Sequence, residues 1–174
     1  MSKTRGKTRW IWIPATVVLA VGVVVASPFI WHRLTNWMAF RALSDADQYE
    51  VFSLDPYLAS YSQWPSPVQF FHGRAVLGEL KVPDSATRQK LNVALRSGVS
   101  GSDGRMMACF NPRHVIRVTH AGVMTDYVIC FECLQIQVWR NDKMVAHILT
   151  SDSPGPVFDD ILQKAGVPLA PKTR

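Results

Sequence analysis

The run from Trp10 to Trp31, WIWIPATVVLAVGVVVASPFIW, constrains this chain more than any other feature: its 22 residues carry no charge, and only Thr16 and Ser27 have polar side chains. As a helix rising about 1.5 Å per residue it extends about 33 Å, enough for a hydrocarbon core about 30 Å thick. Inside a bilayer each backbone amide must find its partner within the segment, which a helix provides. Pro14 and Pro28 stand near its ends, where a missing hydrogen bond costs least. Trp10, Trp12 and Trp31 fall where interfacial aromatic belts occur. A helix buried in a domain this small would need a polar face, and this run has none. A cleaved signal peptide would use the small residues Val24-Val25-Ala26, but signal cores are shorter than a run that continues through Phe29, Ile30 and Trp31. The expectation is a retained transmembrane helix over 10–31.

Charge sets the direction. Lys3, Arg5, Lys7 and Arg9 precede the span with no acidic residue among them, and only Arg33 and Arg41 follow soon after. Positive residues stay inside, so 1–9 is expected to be a cytoplasmic tail and the rest to lie on the far side, periplasmic or extracellular. Leu34, Trp37, Met38 and Arg41 suit a juxtamembrane segment over 32–48 lying along the lipid surface. The net charge of +6 is largely this tail, since 15 basic residues face 13 acidic ones from position 10 onward. That balance argues against a nucleic-acid partner and leaves the lipid bilayer as the expected one.

From residue 49 the pattern turns to short β-like runs: 49–54, 68–82, then MMACF, RHVIRVTH, VMTDYVICFECLQIQVW and KMVAHILT, with tight links at Ala121-Gly122 and Asn141-Asp142. Two helices interrupt them. The first is capped by Asp84 or Ser85, with Leu91, Ala94 and Leu95 inward, Arg88, Lys90 and Arg96 outward and Gly98 as its stop. The second begins at Ser153-Pro154, buries Val157, Phe158, Ile161, Leu162 and Ala165, and stops at Gly166. The order ββαββββα predicts an α+β domain over 49–167, a mainly antiparallel sheet with two helices on one face, followed by a flexible tail at 168–174.

Reactive side chains gather between 109 and 133: Cys109, Arg113 and His114 in CFNPRH, then Cys130, Glu132 and Cys133 in CFEC. Cys109, His114, Cys130 and Cys133 supply the three thiolates and one imidazole of a tetrahedral zinc site. On a regular strand, however, residues 130 and 133 point to opposite faces, and only a bulge near Glu132 reunites them. The same register places Glu132 among aliphatic neighbours, where a bare charge is costly, so either the strand kinks there, or Glu132 meets a partner such as Arg113 or His114, with Arg113–Glu132 as a buried ion pair, or that face is exposed to solvent. Three cysteines in an oxidising space let one pair close, with Cys109 expected in it, and leave one thiol over. A thioredoxin-type CxxC would start a helix, and Cys130 follows a strand, which argues against that chemistry. His72, beside Gly73, and His120 read as turn residues and His147 as a sheet residue with a satisfied ring. No nucleophile elbow, P-loop, HExxH or dinucleotide motif occurs, so no catalytic residue is assigned.

At CFNPRHVIRVTHAG, DYVICFECLQIQVW and FFHGRAVLGELKV, over roughly 49–150, the chain resembles uncharacterised bacterial proteins, membrane-anchored or secreted, that share CFNPRH-like and ICFEC strings. The resemblance implies a bacterial origin and transfers no role to any residue. The functional expectation is an anchored binding or interaction module for an unknown protein or small molecule, the alternative being a metal- or thiol-dependent activity centred on Cys109, His114, Cys130 and Cys133.

Overall fold

Short apolar runs punctuated by residues that tolerate positive φ dictate hairpins, and hairpins make up most of the fold. The computed structural model describes residues 40–57 and 69–171. The expected transmembrane helix over 10–31 lies outside them. Among the described residues no helix is long and apolar enough to cross a membrane. The elements run β1 (Gln48–Leu54), β2 (Phe70–Phe71), β3 (Arg74–Lys81), α1 (Ser85–Ser100), β4 (His114–His120), β5 (Val123–Cys130), β6 (Gln135–Arg140), β7 (Lys143–Leu149) and α2 (Gly155–Lys164). The strands form one sheet in the order β2-β3-β1-β4-β5-β6-β7 with every pairing antiparallel. The α+β expectation holds.

The two expected tight links are two-residue turns with both central residues at positive φ, 48° and 76° at Ala121-Gly122 and 46° and 62° at Asn141-Asp142. That geometry matches the right-handed twist of the flanking strands. His72-Gly73 makes a third such turn, at 45° and 78°, so the run expected as one strand over 68–82 is folded back on itself as β2 and β3. Two further expectations need correction. MMACF is not a strand; Met106 and Met107 are exposed. The long run 123–139 is broken at 131–134, where CFECL turns the chain from β5 into β6.

The central strands are buried on both faces, which explains why they read as nearly continuous apolar runs. Val51, Ile116, Tyr127, Ile129 and Ile136 face the helices and meet Leu91, Leu95, Phe158 and Leu162. The alternate residues Phe52, Val115 and Val128 join Leu54 and Phe71 in a second cluster on the other face. Asp84 caps α1, its carboxylate accepting the Thr87 amide at 2.7 Å. The helix runs past Gly98, which was expected to end it. Gly98 is buried instead, where α1 crosses the loop at Thr150 and Pro154.

Arg88 and Arg96 do not simply face solvent. With Asn92 they stand four residues apart along α1 and donate to the carbonyls of Ala46, Leu43 and Phe40 at 2.9–3.1 Å. This ladder ties the helical turn at 40–44 to the domain and buries Phe40 and Leu43 in the main core. The described part of the lead-in, from Phe40 onward, is thus packed into the fold, while Leu34, Trp37 and Met38 of the expected juxtamembrane segment lie outside the described residues. Of the expected flexible tail at 168–174, residues 168–171 are described: Arg113 donates through Nη1 to the carbonyls of Ala170 and Pro171 at 3.1 and 2.6 Å, and 172–174 lie outside the described residues.

Candidate functional site

A cavity of about 300 Å³ opens between the start of β4, the turn after β5 and the first turn of α2, lined by Ser53, Asn111, Arg113, His114, Phe131, Glu132, Asp152, Gly155, Pro156, Asp159, Leu169 and Ala170. Three local facts make it. Asn111-Pro112 brings the chain into β4, so that Arg113 and His114 project at the strand's beginning. CFEC turns rather than continuing as strand, which brings Phe131 and Glu132 to the rim. Gly155-Pro156 starts α2 close against the Phe131 ring; a Cβ on Gly155 would sit 3.5 Å from it.

His114 is 4% exposed and its Nε2 lies 3.0 Å from Asp159 Oδ1. An ionised carboxylate can only accept, so Nε2 carries the proton that points at Asp159. The ring packs between Phe131 and Phe158, at centroid distances of 5.4 and 5.6 Å. Its Nδ1 is buried without a hydrogen-bond partner.

Arg113 Nε lies 3.1 Å from Glu132 Oε1. Opposite charges are in contact, yet the N–H does not point at the oxygen, and both Nε and Nη2 are buried with no hydrogen bond. The pair named from sequence is therefore assembled, but unevenly. Arg113 is 12% exposed and Glu132 51%, because Glu132 rides on a turn instead of facing a core. Such donors ordinarily find partners, and each one left without costs roughly 1–3 kcal/mol.

The cysteines converge differently from the expected ligand set. Cys130 and Cys133 form a disulfide across the turn, with Cα atoms 5.1 Å apart, the usual spacing for such a bridge. The pair that closes excludes Cys109, which stays an exposed free thiol with its sulfur 3.5 Å from Cys133 Sγ. His114 is engaged with Asp159 rather than with sulfur. Bridged sulfurs are not thiolates, so in this form Cys130 and Cys133 offer zinc no thiolate ligand. Among the described residues no group of three or more His, Cys, Asp or Glu side chains is placed to hold a metal ion.

A second polar cluster lies on the opposite face of the sheet. Asp126, 2% exposed, takes a two-pronged bond from Arg117, with Nε to Oδ1 at 2.7 Å and Nη2 to Oδ2 at 2.9 Å, and meets His72 Nε2 at 3.0 Å. The Arg117 guanidinium stacks on Phe71, 4.3 Å from its centroid, and His72 on Trp139 at 4.5 Å. Burial works to raise the Asp126 carboxyl, but the hydrogen bonds and charges of Arg117 and His72 outweigh it and hold it below the usual carboxylate range. The bond to Asp126 likewise holds Arg117 above its ordinary value. With every group partnered inside the protein, this cluster reads as a polar core and not as a binding site.

Of the other histidines, His147 meets Gln135 Oε1 at 2.9 Å, and exposed His120 stands 4.0 Å from Asp47. Sequence reasoning missed Asp159 and Asp152, which no local pattern links to residues some 40 positions earlier. It also missed Asp126, although a signal was present. A two-residue turn at Ala121-Gly122 sets Arg117 directly opposite Asp126, so the pair follows from counting outward from the turn. No protein family, curated protein or solved structure matches this chain.

Proposed function

We propose that this is a membrane-tethered, extracytoplasmic binding module whose ligand sits in the Arg113–His114 cavity. The observation that carries the reading is that two residues lining the cavity, Arg113 and His114, hold buried polar atoms with no hydrogen-bond partner: Arg113 Nε and Nη2 and His114 Nδ1. Groups of this kind are satisfied by a ligand when the protein does not satisfy them itself. The chemistry of the lining narrows the ligand. A guanidinium fork accepts a carboxylate, the side chains of Asp152 and Asp159 accept an amine, and Phe131, Pro156 and Leu169 offer apolar wall. That combination suits a small ampholyte, a molecule with an acidic group and an amine on an apolar body, such as a hydrophobic amino acid or short peptide. Glu132 is exposed and held by an ion pair without a hydrogen bond, so it can swing aside as the ligand's acid takes the fork.

Support for the compartment comes from the hairpin disulfide, since such bonds persist in oxidising spaces. The test is calorimetric titration of the detergent-solubilised full chain with leucine, phenylalanine, their amides and their N-acetyl forms. Binding of the free amino acids, weakened at least about tenfold by blocking either end and by Arg113→Gln, is expected; each loss of that size corresponds to about 1.4 kcal/mol. Equal binding of blocked and free forms, or none by any of them, overturns the reading.

A further inference from the structure

Beside that cavity, and independent of whether it takes a ligand, the three sulfurs are arranged for chemistry. Cys130 and Cys133 are 1% and 0% exposed, so a thiol in solution has no direct path to their bond. Cys109 is exposed, and its sulfur touches Cys133 Sγ at 3.5 Å, the separation of reactants poised to combine. Its position is not accidental to the fold. The Met107 amide donates to the Cys133 carbonyl at 3.2 Å, and the Gln135 side chain donates to the carbonyls of Met107 and Cys109. Two backbone amides already point at the bridge: Cys133 N–H at Cys130 Sγ, 3.1 Å, and Asn111 N–H at Cys133 Sγ, 3.2 Å. These donors stabilise whichever sulfur leaves as thiolate, the task a helix N-terminus performs in a dithiol of thioredoxin type.

We propose that Cys109, Cys130 and Cys133 form a thiol–disulfide exchange site in which Cys109 is the gateway to the buried pair, acting on small thiols and disulfides. Cys109 loses its proton to solvent and attacks Cys133 Sγ. The Cys109–Cys133 bond forms, the Cys130–Cys133 bond breaks, and Cys130 departs as a thiolate that takes up a proton. No oxidant is consumed. The moved bridge now ends on an exposed sulfur. An incoming thiolate attacks Cys109, making a mixed disulfide and releasing Cys133, and a second thiolate frees Cys109 as the external disulfide departs. Two external thiols have then been oxidised and the buried pair reduced; run backwards, an external disulfide rebuilds the bridge.

The test follows the bridge in the full chain exposed to reduced glutathione, with acid quenching and mass mapping of the linked peptides. The native pair is expected to open in the wild type and at least about tenfold more slowly in Cys109→Ser, a change of one atom on an exposed side chain. Equal rates in the two chains, or a wild-type bridge that glutathione leaves closed, overturns the proposal. A second variant guards against misfolding in the first. Cys130→Ser, given glutathione disulfide, should yield a peptide linking Cys109 to Cys133, whereas glutathione attached separately to both, or two free thiols, also overturns it.

Discussion

Asp126 illustrates how a single buried charge is made safe. Its two oxygens take three hydrogen bonds, two from Arg117 and one from His72. Asp126→Asn keeps the shape and removes the charge, leaving the partly buried Arg117 without its counter-ion. The expected loss at neutral pH is about 3 kcal/mol, at the lower end for a broken buried pair because Arg117 retains some exposure. Acid distinguishes this from a loss of packing. The folded carboxyl titrates below the unfolded value of about 3.9, so the folded protein binds fewer protons. The stability Asp126 contributes is complete above that value and drains away as pH falls through the depressed folded one. Urea midpoints measured from neutral pH downward should therefore show the wild type and Asp126→Asn converging below about pH 4. A gap that stays constant with pH would mean the charge is not what holds the site.

Between elements, α1 packs against the loop before α2 with no room for a side chain at Gly98. A Cβ on Gly98 would sit 2.6 Å from the buried Thr150 hydroxyl and press into the Pro154 ring. Alanine is the better helix former by roughly 1 kcal/mol, yet Gly98→Ala is expected to lower stability by about 2 kcal/mol, because neither the proline ring nor the buried threonine can retreat. Thermal unfolding decides it, since a rise in the midpoint would show that the loop yields. Gly98 also shows where sequence stops being legible. A glycine late in a helical run reads as a terminator, and only the neighbouring loop, more than 50 residues on, reveals it as a contact point. The hairpins at Ala121-Gly122 and Asn141-Asp142 were readable because their signal is local. The break at CFECL was legible only in part: the Cys130/Cys133 spacing and Glu132 pointed to a bulge there, but not to a full turn, since Leu134 takes φ of 59° without a glycine to mark it. Arg113, His114 and Glu132 were singled out by residue type alone, and their meeting with Asp159 depends on how α2 packs.

At the scale of the whole molecule, the proposed address rests on Trp10–Trp31. Full-length chain is expected to stay with membranes through alkaline carbonate washing, and a probe that cannot cross the cytoplasmic membrane should reach a C-terminal tag and miss an N-terminal one. Release by carbonate, or a C-terminus facing the cytosol, would remove both the anchor and the oxidising surroundings that the bridge at Cys130–Cys133 favours. Strand order carries a further consequence. β1 lies inside the sheet, with Glu50 opposite Lys81 on one side and Val51 opposite Ile116 on the other. During synthesis β3 can zip onto it early, but its other margin stays raw until β4 emerges some sixty residues later. Until β4 is present, that margin is an unpaired strand edge of the kind that templates aggregation, so a chain cut short within α1 is expected to aggregate where one that includes β4 does not.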